Sequence, residues 1–145
     1  MRLRNTTNFD INLIREIIRF VRPPGIKRFD VWVKNSRSGF SGRAYCYGTS
    51  YHDHGRMCPY IAVRVGDNKF PFTHSYPWLK NGPNITFENK EDILVYLLAH
   101  ELRHLWQAKT KNRRGYANGS KGKFSEIDCE MYSKEMLEKW KSVQA

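Results

Sequence analysis

The chain has 145 residues, of which 40% are apolar and 14% aromatic, enough packing material for one folded unit over 1–145 and too much for a disordered chain. Twenty-five basic residues stand against 14 acidic ones, a net of +11, which favours anionic partners: nucleic acid, anionic surfaces or acidic proteins. No apolar run is long enough for a membrane span or a secretory signal, so a cytoplasmic protein is expected. Three cysteines, Cys46, Cys58 and Cys129, make no disulfide framework and agree with a reducing compartment.

In chain order, Thr7 and Asp10 form a candidate capping box ahead of Ile14, Ile17, Ile18 and Val21, whose spacing predicts a helix that Pro23-Pro24-Gly25 stops. Phe29, Val31 and Val33 alternate as in a strand, and Phe40 to Tyr47 is a second candidate. Ile61–Val65, Gly66-Asp67-Asn68 and Lys69–Thr73 predict a hairpin with a three-residue turn. His74 to Asn84 reads as a loop. Asn89 with Asp92 then opens a long helix through Leu94, Leu97, Leu98, Leu102 and Leu105. Ser125 and Asp128 open the last helix, with Ile127, Met131, Met136, Leu137 and Trp140 as its packing face. The expected class is therefore α+β: an N-terminal helix, a small, mostly antiparallel sheet of three or four strands, and two C-terminal helices.

The long helix carries His100-Glu101-Leu102-Arg103-His104, a His-Glu-x-x-His motif. Residues four apart lie one turn apart on one face, so both imidazoles can reach one zinc ion. Glu101, one step round, is placed as the base for a metal-activated water. A polar trio in so apolar a segment is costly to bury without a partner. A catalytic zinc needs a third protein ligand. Glu126 and Glu130 offer carboxylates on one face of the last helix, Glu126 standing 126 − 104 = 22 residues beyond His104. Glu126 is the expected ligand and Glu130 the group that fixes an imidazole tautomer; exchange of those roles, or Asp128 as ligand, stays open.

This motif pair, with Glu126-x-Asp128-x-Glu130-x-Tyr132-Ser133 opening the later helix, resembles the glutamate-type zincin metallopeptidases, and most closely their small ImmA-like and SprT-like members. The resemblance covers most of the chain. It implies a zincin-like fold, one zinc ion on His100, His104 and Glu126, Glu101 as general base, and hydrolysis of protein or peptide substrates. Two departures stand out: no histidine follows His104, and Glu130 occupies a place where aspartate or asparagine is common in the related pattern.

Tyr116 and Tyr132 are candidates for stabilising the transition state, and Tyr60–Val65 for a sheet edge that receives an extended peptide. Cys46, His52, His54 and Cys58 are zinc-ligand types at a spacing that fits no usual finger. The cluster Lys109, Lys111, Arg113 and Arg114 lies between the two ligand-bearing helices and suits phosphate contacts. It supports an alternative, a basic nucleic-acid-associated protein with a structural or weakly catalytic zinc.

Overall fold

A computed structural model describes residues 1–46, 58–76, 82–110 and 123–144. The elements run β1 (Leu3–Asn5), α1 (Ile11–Val21), β2 (Asp30–Asn35), β3 (Phe40–Tyr45), β4 (Tyr60–Val65), β5 (Phe72–His74), β6 (Ile85–Phe87), α2 (Lys90–Thr110) and α3 (Lys123–Gln144). The α+β class holds. The four-stranded sheet has the order β1-β2-β4-β3 and is mixed: β1, β2 and β4 are parallel, while β3 runs antiparallel along the edge. Strands β5 and β6 form a separate antiparallel pair.

The expected hairpin over 61–73 does not form. Strand β4 lies between β2 and β3, and β5 pairs with β6 instead. Pro71, inside the expected return strand, has no N–H to give a ladder. The short strands β1 and β6, three residues each, are too brief to show a period.

Helix α1 begins one turn later than a cap at Thr7 would place it. Asp10 is the N-cap, its carboxylate accepting from the Leu13 N–H at 3.1 Å, while Thr7 Oγ1 accepts from Phe9 N–H. It ends before the two prolines, where Gly25 takes φ +84°, a conformation that favours glycine. Helix α2 opens as its sequence predicts: Asn89 Oδ1 accepts from Asp92 N–H at 2.9 Å, and the Asp92 carboxylate accepts from Glu88 N–H at 2.8 Å.

Residues Asp92 to Leu102 of α2 are buried without a break. A helix enclosed on all sides is a central element. One side rests on the sheet face bearing Val31, Val33, Ile61 and Val63, and α1 and α3 flank it. In α3 the buried stripe is Ser125, Cys129, Ser133, Leu137 and Trp140. Met131, expected in that stripe, is 53% exposed. Ser125 is no cap either; it is buried inside α3 and donates to Gln107 Oε1 at 2.6 Å. A bidentate Arg103–Asp128 pair, at 2.8 and 3.1 Å, clamps α2 to α3.

Candidate metal centre

Helix α2 presents His100 and His104 on one face, their ring centroids 4.9 Å apart, and α3 crosses in front of them. The two oxygens of Glu126 divide between the imidazoles: Oε2 is 3.1 Å from His100 Nε2 and Oε1 2.9 Å from His104 Nε2. The three residues chosen from the sequence as ligands thus meet at one point.

Each opposite ring nitrogen faces a side chain that neighbours it closely. Gln107 Nε2 donates to the Ser125 carbonyl and to Asp128 Oδ2, both at 2.9 Å, so the orientation of its amide is fixed. Gln107 Oε1 must then accept, from Ser125 Oγ and, at 3.1 Å, from His104 Nδ1–H. His100 Nδ1 lies 2.7 Å from Glu130 Oε2, an ion-pair contact rather than an aligned hydrogen bond. Tyr96 donates to that same oxygen at 2.5 Å, and His74 Nε2 lies 3.6 Å from the other. Glu130 thus lies against His100 Nδ1 without an aligned hydrogen bond, whereas Gln107 accepts one from His104 Nδ1–H.

With a proton on each Nδ1, the neutral tautomers point both Nε2 lone pairs at a carboxylate, an acceptor facing acceptors. The arrangement calls for positive charge between them. Burial alone would depress His100, but Glu126 and Glu130 reverse this and push its pKa up to about 10. Burial would raise Glu126, yet the two histidines hold it down at about 2. Protons or a metal cation can supply the missing charge, and the donor set of two imidazoles and a carboxylate is one that divalent transition metals take.

His100, His104 and Cys129 also form a buried group, with ligand atoms all within 4.8 Å, that can hold a metal ion. The Cys129 thiol is 3.4 Å from His104 Nδ1, the nitrogen already given to Gln107, whereas Glu126 meets both Nε2 atoms. Burial holds the thiol well above its usual pKa, so it stays protonated until a metal displaces the proton. The hydrogen-bond network therefore favours Glu126 over Cys129. Cys129 was not singled out from the sequence, although its position three residues after Glu126 puts it near the same helix face.

Glu101 is 5% exposed, and burial pushes its carboxyl upward, opposed by the two histidines. It sits under β3. A Cβ built on Gly42 would come within 2.6 Å of Glu101 Oε2 and 2.9 Å of its Cγ, so a glycine here makes the room the carboxylate occupies. Phe40–Ala44, Tyr76, Tyr96, His100, Glu101, His104 and Glu126 enclose a cavity of about 260 Å³. A larger apolar cavity of about 470 Å³, between Ile26, Pro59, Leu105 and Ala108, contains none of His100, His104, Glu126, Cys129 and Glu130; Cys46 is on its wall.

Other candidates fare differently. Tyr132 is structural, its hydroxyl bonded to the Val21 carbonyl. Tyr116, His52, His54, Lys111, Arg113 and Arg114 lie outside the described residues. Cys46 approaches the His104 carbonyl at 3.7 Å, Cys58 its neighbour's carbonyl at 3.4 Å, and Lys109 Nζ donates to the Gly25 carbonyl at 2.6 Å. Tyr76 is a site residue that the sequence does not mark. It lines the cavity, and burial pushes its phenol to about 12, so it remains a neutral donor near neutral pH. Its sequence surroundings carry no motif that could have marked it. Asp128, considered as a ligand, spends its carboxylate on Arg103 and Gln107.

Comparison with protein-family models, curated proteins and solved structures produced no match, so the geometry alone carries the functional reading. No helix among the described residues is long and apolar enough to cross a membrane.

Proposed function

We propose that this protein is a zinc-dependent metallopeptidase with Glu101 as general base. The observation that carries the reading is the convergence of both Nε2 atoms on Glu126 beside a buried, unligated Glu101 that lines the same cavity. His100, His104 and Glu126 would hold the ion. When bound there, zinc supplies Lewis acidity, making water a stronger acid and a carbonyl a better electrophile.

The chain's own residues do the rest. Glu101, its proton affinity raised by burial, accepts the proton of the attacking water and returns it to the departing amine. Gln107 and Glu130 keep the imidazole rings oriented. Tyr76 offers a neutral hydroxyl to the oxygen that gains charge.

The receiving edge differs from the one expected. Tyr60–Val65 is interior to the sheet, whereas β3 is the edge strand, no described strand pairs with its outer side, and it forms a wall of the cavity. An extended peptide added alongside β3 would bring its scissile bond to Glu101 and the histidines.

Cys129 favours a second reading, a structural site on His100, His104 and the thiol. Elemental analysis separates the two. The peptidase reading expects about one zinc per chain, lost in Glu126→Ala and kept in Cys129→Ala. Glu101→Gln should retain metal and fold while hydrolysis falls by about 10²–10⁴-fold. Zinc that survives Glu126→Ala but not Cys129→Ala would favour the structural site, and hydrolysis undiminished in Glu101→Gln would remove the base from its role.

A further inference from the structure

The four-stranded sheet has a second face, turned away from α2. The pairing register places Arg4, Trp32, Ala62 and Arg43 in one row across all four strands. Lys34, Arg64 and Ser41 form the next row on the same face. Side chains two apart in a strand share a face, about 7 Å from row to row, and the row from Arg4 to Arg43 spans three strand spacings, about 14 Å. Four cations therefore sit in a patch of about that size. One acid shares the face, Asp30 at its end, already accepting from Arg2 N–H at 2.9 Å.

This clustering works against itself. Burial and the neighbouring Arg64 and Arg4 hold Lys34 below the usual lysine range. Arg4 and Lys34 also converge on one aromatic ring, with Arg4 Cζ 4.0 Å and Lys34 Nζ 3.4 Å from the Trp32 centroid. Arg43 lies over the neighbouring Tyr45 at 5.8 Å. Arg4, Arg43 and Arg64 are exposed, and no described helix packs against this side. A surface needed only for solubility gains nothing from bringing like charges together in this way.

We propose that this face binds single-stranded nucleic acid, its phosphates lying along the Arg4, Lys34, Arg43 and Arg64 side chains, three of which rest on the Trp32 and Tyr45 rings. The surface is distinct from the Lys109–Arg114 cluster and meets the metal-centre cavity only at β3, where Ser41 and Arg43 belong to both, and the inference does not depend on any hydrolytic activity. Cations interleaved with aromatics on an open sheet are the combination that single strands use. Anchorage in a lipid bilayer needs exposed apolar groups, and here the apolar members, Trp32 and Ala62, are half-buried between the cations. A duplex is a convex cylinder and would meet a flat sheet along a line, reaching few of these charges.

The test is fluorescence anisotropy of labelled oligo(dT) and oligo(rU) 20-mers, a 20-base-pair duplex and vesicles containing phosphatidylserine, each across a salt series. One triple variant removes charge from the face, Arg4→Gln, Lys34→Gln and Arg64→Gln. A second removes equal charge elsewhere, at the exposed Arg15, Arg19 and Lys139. A third keeps charge on the face, with Arg4→Lys and Arg64→Lys. The expected result is single-strand binding at low salt that the first variant weakens about tenfold or more. Its log–log salt slope should fall by about 2, three phosphate contacts at about 0.7 each. The other two variants should keep the slope. Preference for oligo(rU) or for oligo(dT) would identify the natural strand as RNA or DNA. Equal losses in the first two variants would reduce the effect to net charge and overturn the proposal. So would no single-strand binding by the wild type, or binding of duplex or vesicles in preference to single strands.

Discussion

His100 and His104 share a helix face and meet the same carboxylate, yet different chemistry holds each ring from behind. Behind His100 stands Glu130, 1% exposed, a carboxylate from α3 that also receives the Tyr96 hydroxyl. Behind His104 stands Gln107, a neutral amide one turn along α2, braced by Ser125 and Asp128 of α3. A carboxylate makes an imidazole a stronger donor as well as orienting it; an amide only orients it. One imidazole is thus tuned by charge and the other by geometry.

Removing each anchor should expose that difference. Glu130→Ala takes a charge from a buried site and strands Tyr96 and His100, so zinc affinity should fall by about a hundredfold. Gln107→Ala removes only orientation and should cost about tenfold, within the usual range for such anchors. Chelator competition measures both. Equal losses would erase the distinction. A larger loss in Gln107→Ala would mean that the orientation of His104 dominates.

Gly42 separates the proposed role of Glu101 from that of the two histidines. In Gly42→Ala the new methyl group displaces Glu101, whose Oε2 would lie 2.6 Å from the added carbon, and the three nearest atoms all belong to Glu101. A misplacement on the order of 1 Å costs about 10²-fold in rate when the displaced group is catalytic. We therefore expect turnover to drop by about that factor or less, with zinc content and affinity unchanged. A simultaneous loss of zinc would show that β3 supports the ligands as well.

Much of this site could be read in advance because its signals are local. Two histidines four apart need only a helix to share a face, and the leucines around them announce that helix. Asn89 and Asp92 mark its start for the same reason. Glu126 comes from a separate helix, and there the signal is the recurrence of carboxylates at helical spacing. Gln107, Tyr76, Gly42 and Cys129 were invisible because each acts through a partner distant in sequence. Gln107 depends on Ser125, eighteen residues away. Gly42 is explained only by Glu101 across the fold. The sheet was misread where a local turn signal met a proline, since Gly66-Asp67-Asn68 suggested a hairpin that Pro71 cannot complete. The cationic face was hidden for a related reason: Arg4, Lys34 and Arg64 are dispersed along the chain, and the strand register brings them together.

The smallest expected effect is on pH-dependent stability, and it tests whether protons stand in for the metal. His100 has a folded pKa of about 10 against an ordinary 6.5. Its contribution in the metal-free protein is therefore complete below about pH 6.5 and is lost as pH rises toward 10. Glu126 is depressed to about 2 from 4.5, so its contribution is present above 4.5 and lost as pH falls toward 2. Glu101 is raised, so it loses stability in the same sense as His100 as pH climbs. The metal-free protein should thus melt highest between about pH 4.5 and 6.5 and a few degrees lower at pH 9. Zinc needs both Nε2 atoms deprotonated, so its stabilisation should grow over the interval in which the metal-free protein weakens. Melting curves in chelator and in excess zinc should accordingly diverge above about pH 6.5. Parallel curves there would mean that zinc does not replace the proton on His100, and the assignment of its Nε2 as a ligand would have to be abandoned.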